Sequence, residues 1–172
     1  MQHVAVHPLL DSMTTDDVTT LPELLRRRCR RSPEREAYRQ CEAWVWRRYS
    51  WRDVEELVAR WQVALAGENL ASGDRVSVLF KNSVDWVCYD LEAQSMGLVV
   101  VPLYTVDHAE NTANSLADSG VRLLLVGYVD QLVLLRGSPS LVPSGAWWIR
   151  GKIRFERGHI VRGKSTTILC FR

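Results

Sequence analysis

The chain has 172 residues, 47% apolar and 24% charged, a composition that excludes wholesale disorder and fits one folded domain with or without a tail. Its longest apolar stretches, Leu98 to Val106 and Leu123 to Val129, fall well short of the roughly 20 residues that cross a bilayer, which excludes a transmembrane helix. The net charge of +2 conceals an asymmetry, because residues 1–146 carry 15 basic and 19 acidic groups, whereas residues 147–172 carry 7 basic groups against the single acid Glu156.

Met1 to Leu10, within an N-terminal stretch of residues 1–19, have no Lys or Arg ahead of their apolar positions and no small-residue cleavage site. They do not read as a secretory signal, so a cytoplasmic location and a disordered N-terminus are expected. From Thr20 to Arg31 the spacing predicts a helix: Thr20 and Glu23 form a capping pair, Leu21, Leu24, Leu25 and Arg28 share a face, and Ser32-Pro33 stops it. The five arginines 26, 27, 28, 30 and 31 read as its exposed face and last turn. Residues 37–51 alternate bulky and polar side chains, with Tyr38, Trp44, Trp46 and Tyr49 spaced as in a two-stranded hairpin. Ser50 and Asp53 then cap a helix with Trp51, Val54, Leu57, Val58, Trp61, Ala64 and Leu65 on one face, closed by Gly67.

Beyond the turn at Ser72-Gly73-Asp74, the run Val76 to Phe80 predicts a strand. Asn82 with Asp85 is expected to cap the next helix, which Gly97 ends. Leu98 to Tyr104 reads as a second strand, with Pro102 near its carboxyl end because it cannot donate to a ladder. Asp107 with Glu110 is expected to cap a helix through Ala117, and after Gly120 a third strand follows over Val121 to Val126. The alternation predicts an α/β fold of consecutive βαβ units forming part of a parallel sheet, with a small N-terminal hairpin. Strands this apolar are expected inside a sheet covered on both faces.

Gly73-Asp74-Arg75-Val76, Lys81-Asn82-Ser83-Val84-Asp85-Trp86 and Gly97 through Tyr104 resemble successive landmarks of the N-terminal region of the AMP-forming acyl-CoA synthetases, the adenylate-forming ligases. The Tyr49-Ser50-Trp51 helix start, the Asp118-Ser119-Gly120 turn and the order of the pieces agree with that region. Leu21-Pro22-Glu23-Leu24 and the stretch Pro33 to Tyr38 lean toward the long-chain fatty-acid–CoA ligase branch. The resemblance implies a parent that activates a carboxylic acid with ATP and Mg2+ as an acyl adenylate, then passes the acyl group to the thiol of CoA. It covers residues 20–136. The family's Thr/Ser/Gly-rich phosphate loop, its magnesium Glu, its ribose Asp and its C-terminal Lys have no counterpart here, so no catalytic residue is carried over. Fatty acid, ATP and CoA are thus expected as ligands of the intact family, and no cofactor is expected on this chain alone.

The glycines at 67, 73, 97, 120 and 127 read as turns and caps, and Asp74 and Asp85 as a turn and a helix start rather than catalytic acids. Cysteines 29, 41, 88 and 170 and histidines 3, 7, 108 and 159 are too scattered to grip a metal. After Arg136 the character shifts, with Pro139, Pro143 and a basic composition, and residues 137–172 are expected to be an irregular tail unrelated to the ligase segment, as after a displaced reading frame or a truncation. Gly158 to Ser165 does fit G-x-x-x-x-G-K-[ST], in which Gly158, Gly163, Lys164 and Ser165 would cradle phosphate. Only seven residues follow, too few for the helix such a loop needs, so a chance match is expected. The tail's Trp147, Trp148, Phe155 and arginines suit phosphate and base contacts, yet no specific nucleic acid is expected. The expectation is a truncated ligase fragment, inactive alone, and the alternative is a binding or scaffold module. Apolar faces left uncovered would offer a route to self-association.

Overall fold

The computed structural model describes residues 18–128, Gln131 and Leu135, and the backbone of three strands within 146–162. The N-terminal helix α1 (Leu21–Arg31) starts at Thr20, whose side chain accepts from the Glu23 N–H, and ends at Ser32. Strands β1 (Glu36–Glu42) and β2 (Val45–Ser50) form the expected antiparallel hairpin. Ser50 and Asp53 complete a reciprocal capping box at the start of α2 (Trp51–Ala66), each side chain taking the other's backbone N–H.

Strand β3 (Arg75–Leu79), helix α3 (Val84–Ser95), strand β4 (Val99–Pro102), helix α4 (Ala109–Ser119) and strand β5 (Leu123–Val126) supply the βαβ units. All pairings are parallel and the sheet order is β4-β3-β5-β6, where β6 is Ala146–Ile149. The chain thus steps from β3 to one side and returns across it to the other. Alternate residues of the central strands feed two cores. Val76, Val78, Leu123 and Leu125 pack with α1, α2 and α3, while Leu79, Leu124 and Val126 pack with Leu116 of α4 and with Leu135. Ser77, fully buried between them, donates to the Val101 carbonyl at 2.7 Å. Trp61 of α2 and Tyr89 of α3 meet edge to face at 5.3 Å and bind those helices to each other.

Four expectations are corrected. Helix α3 is capped by Ser83, not Asn82: Ser83 is the extended residue, and its hydroxyl accepts from the Trp86 N–H at 3.2 Å. Helix α4 takes His108 as its N-cap without a side-chain bond, while Asp107 accepts from the His108 N–H and the Asn111 amide. Strand β4 is not covered on both sides. The second crossover leaves it at the sheet edge with Val99 49% exposed, where Pro102 as its last residue costs no ladder bond. The stretch expected to be irregular also holds β6, an apolar Ala-Trp-Trp-Ile run paired with β5 in register, and an antiparallel pair, β7 (Ile153–Glu156) and β8 (His159–Arg162).

The amino ends of the strands are tied together by turns. The Gly73 N–H donates to the Gly97 carbonyl at 2.8 Å, Val99 N–H to Asp74 O at 2.9 Å, and Arg122 N–H to Arg75 O at 2.8 Å. Gly97 sits at φ +73°, and a Cβ there would lie 2.5 Å from the Ser72 hydroxyl. Gly97→Ala is expected to lower stability by about 1–2 kcal/mol, read as a fall in the urea midpoint at unchanged slope.

Glu92 of α3 is 2% exposed and its Oε1 has no hydrogen-bond partner. Burial pushes its carboxyl above the ordinary value, against hydrogen bonds from Ser95 and Gln62 and the charge of Arg26. The unfolded chain therefore gives up this proton at lower pH than the fold does, so native stability falls as pH rises from the ordinary carboxylate range through the raised value. Glu92→Gln should raise stability at pH 7 by about 1 kcal/mol, and urea titrations at pH 4 and pH 7 should show the gain shrinking in acid.

Candidate functional site

In an open α/β sheet, ligands collect at the carboxyl ends of the strands where the order reverses, because loops leaving in opposite directions open a crevice. Here that place is beside β3. The chain leaves β4 with the Leu103 N–H still donating to Val78 O at 3.0 Å, and leaves β5 with the Gly127 N–H donating to Leu79 O at 3.0 Å. Between these exits lies a cleft of about 60 Å³, with Leu79, Ala109 and Leu135 as its apolar part and Tyr104, Thr105, Asp107, Thr112 and Gln131 as its polar part.

Its groups are held from different elements. Thr112 is buried in the first turn of α4, its N–H bonded to His108 O at 3.1 Å. Asp107 is fixed by the His108 N–H at 3.0 Å and the Asn111 side chain at 3.2 Å. The Gln131 side-chain Oε1 accepts from the N–H groups of Gly127 at 3.1 Å and Tyr128 at 3.2 Å, tying the β5 exit to the residues that follow. Gly127 is required there, since a Cβ would fall 2.4 Å from Phe80 Cβ. Gln131, Thr112 and Thr105 were not singled out by motif or spacing. The signal for Gln131 is its position four residues after a strand-ending glycine, from which a side-chain amide can reach back to the exposed N–H groups.

The lining offers hydroxyls, one amide and one carboxylate. It is small enough for the end of a ligand or a few waters, and it does not fit a magnesium-bound triphosphate, which needs cations or convergent N–H donors. Among the described residues no three His, Cys, Asp or Glu side chains gather as a metal site. Asp74 accepts from the Ala71 N–H and Arg122 at 2.8 Å, which places it at the opposite, amino end of the sheet in a turn. Asp85 lies in the first turn of α3, as expected. Gly158, Gly163, Lys164 and Ser165 lie outside the described residues, while the four residues between the two glycines form β8.

Cysteines 29, 41 and 88 are free thiols. Burial, with Glu55 adding to it, raises Cys29 to about 11, and burial, with Asp85 next, raises Cys88 to about 12. Both stay protonated at neutral pH and are inert as nucleophiles. Iodoacetamide at pH 8 followed by mass spectrometry should modify exposed Cys41 at least roughly 100-fold faster than Cys29 or Cys88, and denaturant should abolish the difference.

Comparison with known proteins bears on this architecture directly. A family model described as an AMP-binding enzyme matches residues 25–148. The long-chain-fatty-acid–CoA ligase FadD13 of Mycobacterium tuberculosis is 33% identical over 104 residues, which is 60% of this chain and 20% of that protein. The N-terminal domain of FACL13 from the same organism superposes with a TM-score of 0.69 at 28% identity, covering 76% of this chain and 33% of that one. A Mycobacterium tuberculosis fatty acyl CoA synthetase gives a TM-score of 0.67 at 28% identity, with 74% and 26% covered. The chain spans about a fifth of the length of the curated relative it matches. Among the described residues no helix is long and apolar enough to cross a membrane.

Proposed function

The chain belongs to the AMP-binding enzyme family, and from that premise we propose that it is the N-terminal segment of a long-chain fatty-acid–CoA ligase which does not catalyse adenylation alone. The observation that carries the reading is the 33% identity to a ligase of that class over 104 residues, confined to 20% of the relative's length. In the complete reaction a carboxylate attacks the α-phosphorus of ATP, pyrophosphate leaves, and the CoA thiol then displaces AMP from the acyl adenylate. Each step develops charge on phosphate or carbonyl oxygens that must be met by cations, a metal or aligned N–H groups.

The cleft beside β3 supplies none of these, so its part in this reading is architectural: it lies at the open carboxyl end of the sheet, on which the rest of a ligase would build its site. The reading extends the ligase-like segment to β6 rather than ending it at Arg136. It is supported by the in-register pairing of β6 with β5 and by the family match running to residue 148. A cytoplasmic location belongs to the same proposal.

Exchange of labelled pyrophosphate into ATP in the presence of a long-chain fatty acid tests it. The expected result is no exchange above the protein-free blank and no saturable ATP binding by calorimetry. Fatty-acid-dependent exchange would overturn the inactive reading, and ATP binding lost in Lys164→Ala would instead assign nucleotide binding to the Gly158–Ser165 motif.

A further inference from the structure

One buried hydroxyl at the cleft beside β3 goes unmatched by the fold. Thr112 is 3% exposed and lines the cleft, and its hydroxyl has no hydrogen-bond partner among the described residues. A hydroxyl inside a helix can bond back to the carbonyl one turn earlier, as the exposed Ser115 does to Asn111 O at 2.9 Å, and Thr112 does not. Burying a hydroxyl without a partner is costly, so its position at the wall of an opening is a feature that stability alone does not explain.

Two further acceptors share the lining. Asp107 uses Oδ1 for the His108 N–H and the Asn111 amide, which leaves its Oδ2 uncommitted among the described residues. Thr105 brings a second hydroxyl from the loop between β4 and α4. Gln131 adds no acceptor, since its Oε1 already takes the Gly127 and Tyr128 N–H groups.

Charge then selects among ligands. No Lys or Arg lines the cleft. Residues 99–128 carry Asp107, Glu110 and Asp118 against the single Arg122, and that arginine pairs with Asp74 at the far, amino end of the sheet. An anion would meet the Asp107 carboxylate with no cation in the lining to offset it, and a neutral alcohol would leave that charge unanswered. A primary ammonium brings one positive charge and three N–H donors, which match one carboxylate oxygen and two hydroxyls. Its carbon chain would lie on Leu79 and Leu135, and the 60 Å³ of the cleft has room for a group the size of about four waters.

We infer that the cleft is a binding site for the ammonium end of a small organic cation, with Asp107 as its counter-charge and the Thr105 and Thr112 hydroxyls completing its hydrogen bonds. The site goes beyond the ligase reading and does not rest on it.

Saturation-transfer NMR on the full chain tests it, with n-butylammonium, n-butanol and n-butyrate as probes of one carbon chain and three charges. Saturable binding is expected for the ammonium, about tenfold weaker binding for the alcohol and none for the carboxylate. Affinity for the ammonium should fall as salt rises. Asp107→Asn should weaken it about tenfold, and Thr112→Val about fivefold, while Thr112→Ser keeps it. Valine fills the space of threonine and removes the unmatched hydroxyl, so the urea midpoint of Thr112→Val should not fall, which separates lost binding from lost folding. Absence of saturable ammonium binding, butanol binding of equal strength, or ammonium binding that either Asp107→Asn or Thr112→Val leaves unchanged would overturn the site.

Discussion

Parallel strands of four or five residues hold their register only if something outside the ladder fixes where they start. In this chain the turns before β3, β4 and β5 do so, through the Gly73–Gly97 hydrogen bond, the Val99 and Arg122 N–H groups on Asp74 and Arg75, and the Asp74–Arg122 ion pair at 2.8 Å. A slip of one residue would break these bonds together and exchange the two hydrophobic faces of the central strands. With the starts fixed, Val76, Val78, Leu123 and Leu125 go to one core and Leu79, Leu124 and Val126 to the other, and helices cover both faces.

This lock accounts for what the family resemblance reads. Gly73-Asp74-Arg75, the helix start at Ser83 and the Gly97 turn are bound up with strand register and helix capping, not with chemistry. They identify a scaffold. The described cleft holds hydroxyls, one amide and one carboxylate and no cation, and the chain is matched to a fifth of its relative. The two ends of the sheet thus differ in kind: the amino end is dense with backbone bonds, and the carboxyl end is open, lined by Tyr104, Thr105 and Gln131.

Much of this was legible in the residues, because Thr20, Ser50, Gly67, Gly97 and Gly120 each act through local geometry that the sequence states outright. The one-residue shifts at α3 and α4 arose because the neighbour takes the extended N-cap conformation: Ser83 beside Asn82, with its hydroxyl on the Trp86 N–H, and His108 beside Asp107, with no side-chain bond. Which strand becomes the edge is set by the direction of the second crossover, which no pattern within β4 encodes; its apolar run reads the same at the edge as at the centre. Glu92 was readable in part, since it lies four residues after Cys88 and three after Tyr89 on the buried face of α3. Its burial still runs against composition, and only the partners Ser95 and Gln62 explain how one oxygen is tolerated there. Strand β6 went unseen because the prolines and charges around it dominate the window.

The strand order also has a consequence for vectorial synthesis. As the chain emerges from the ribosome, the hairpin, α2 and the β3–α3–β4 unit can assemble from neighbours already made. Strand β3, central in the finished sheet, then has β4 on one side and an unpaired edge on the other until Leu123–Val126 arrives through a crossover helix. When it does, the open edge moves outward to β5 and waits for Ala146–Ile149. Long-range parallel pairing is slow, so the nascent chain carries an exposed edge on the growing side of the sheet, besides the outer edge of β4, through two successive intervals, each ended only by a later segment.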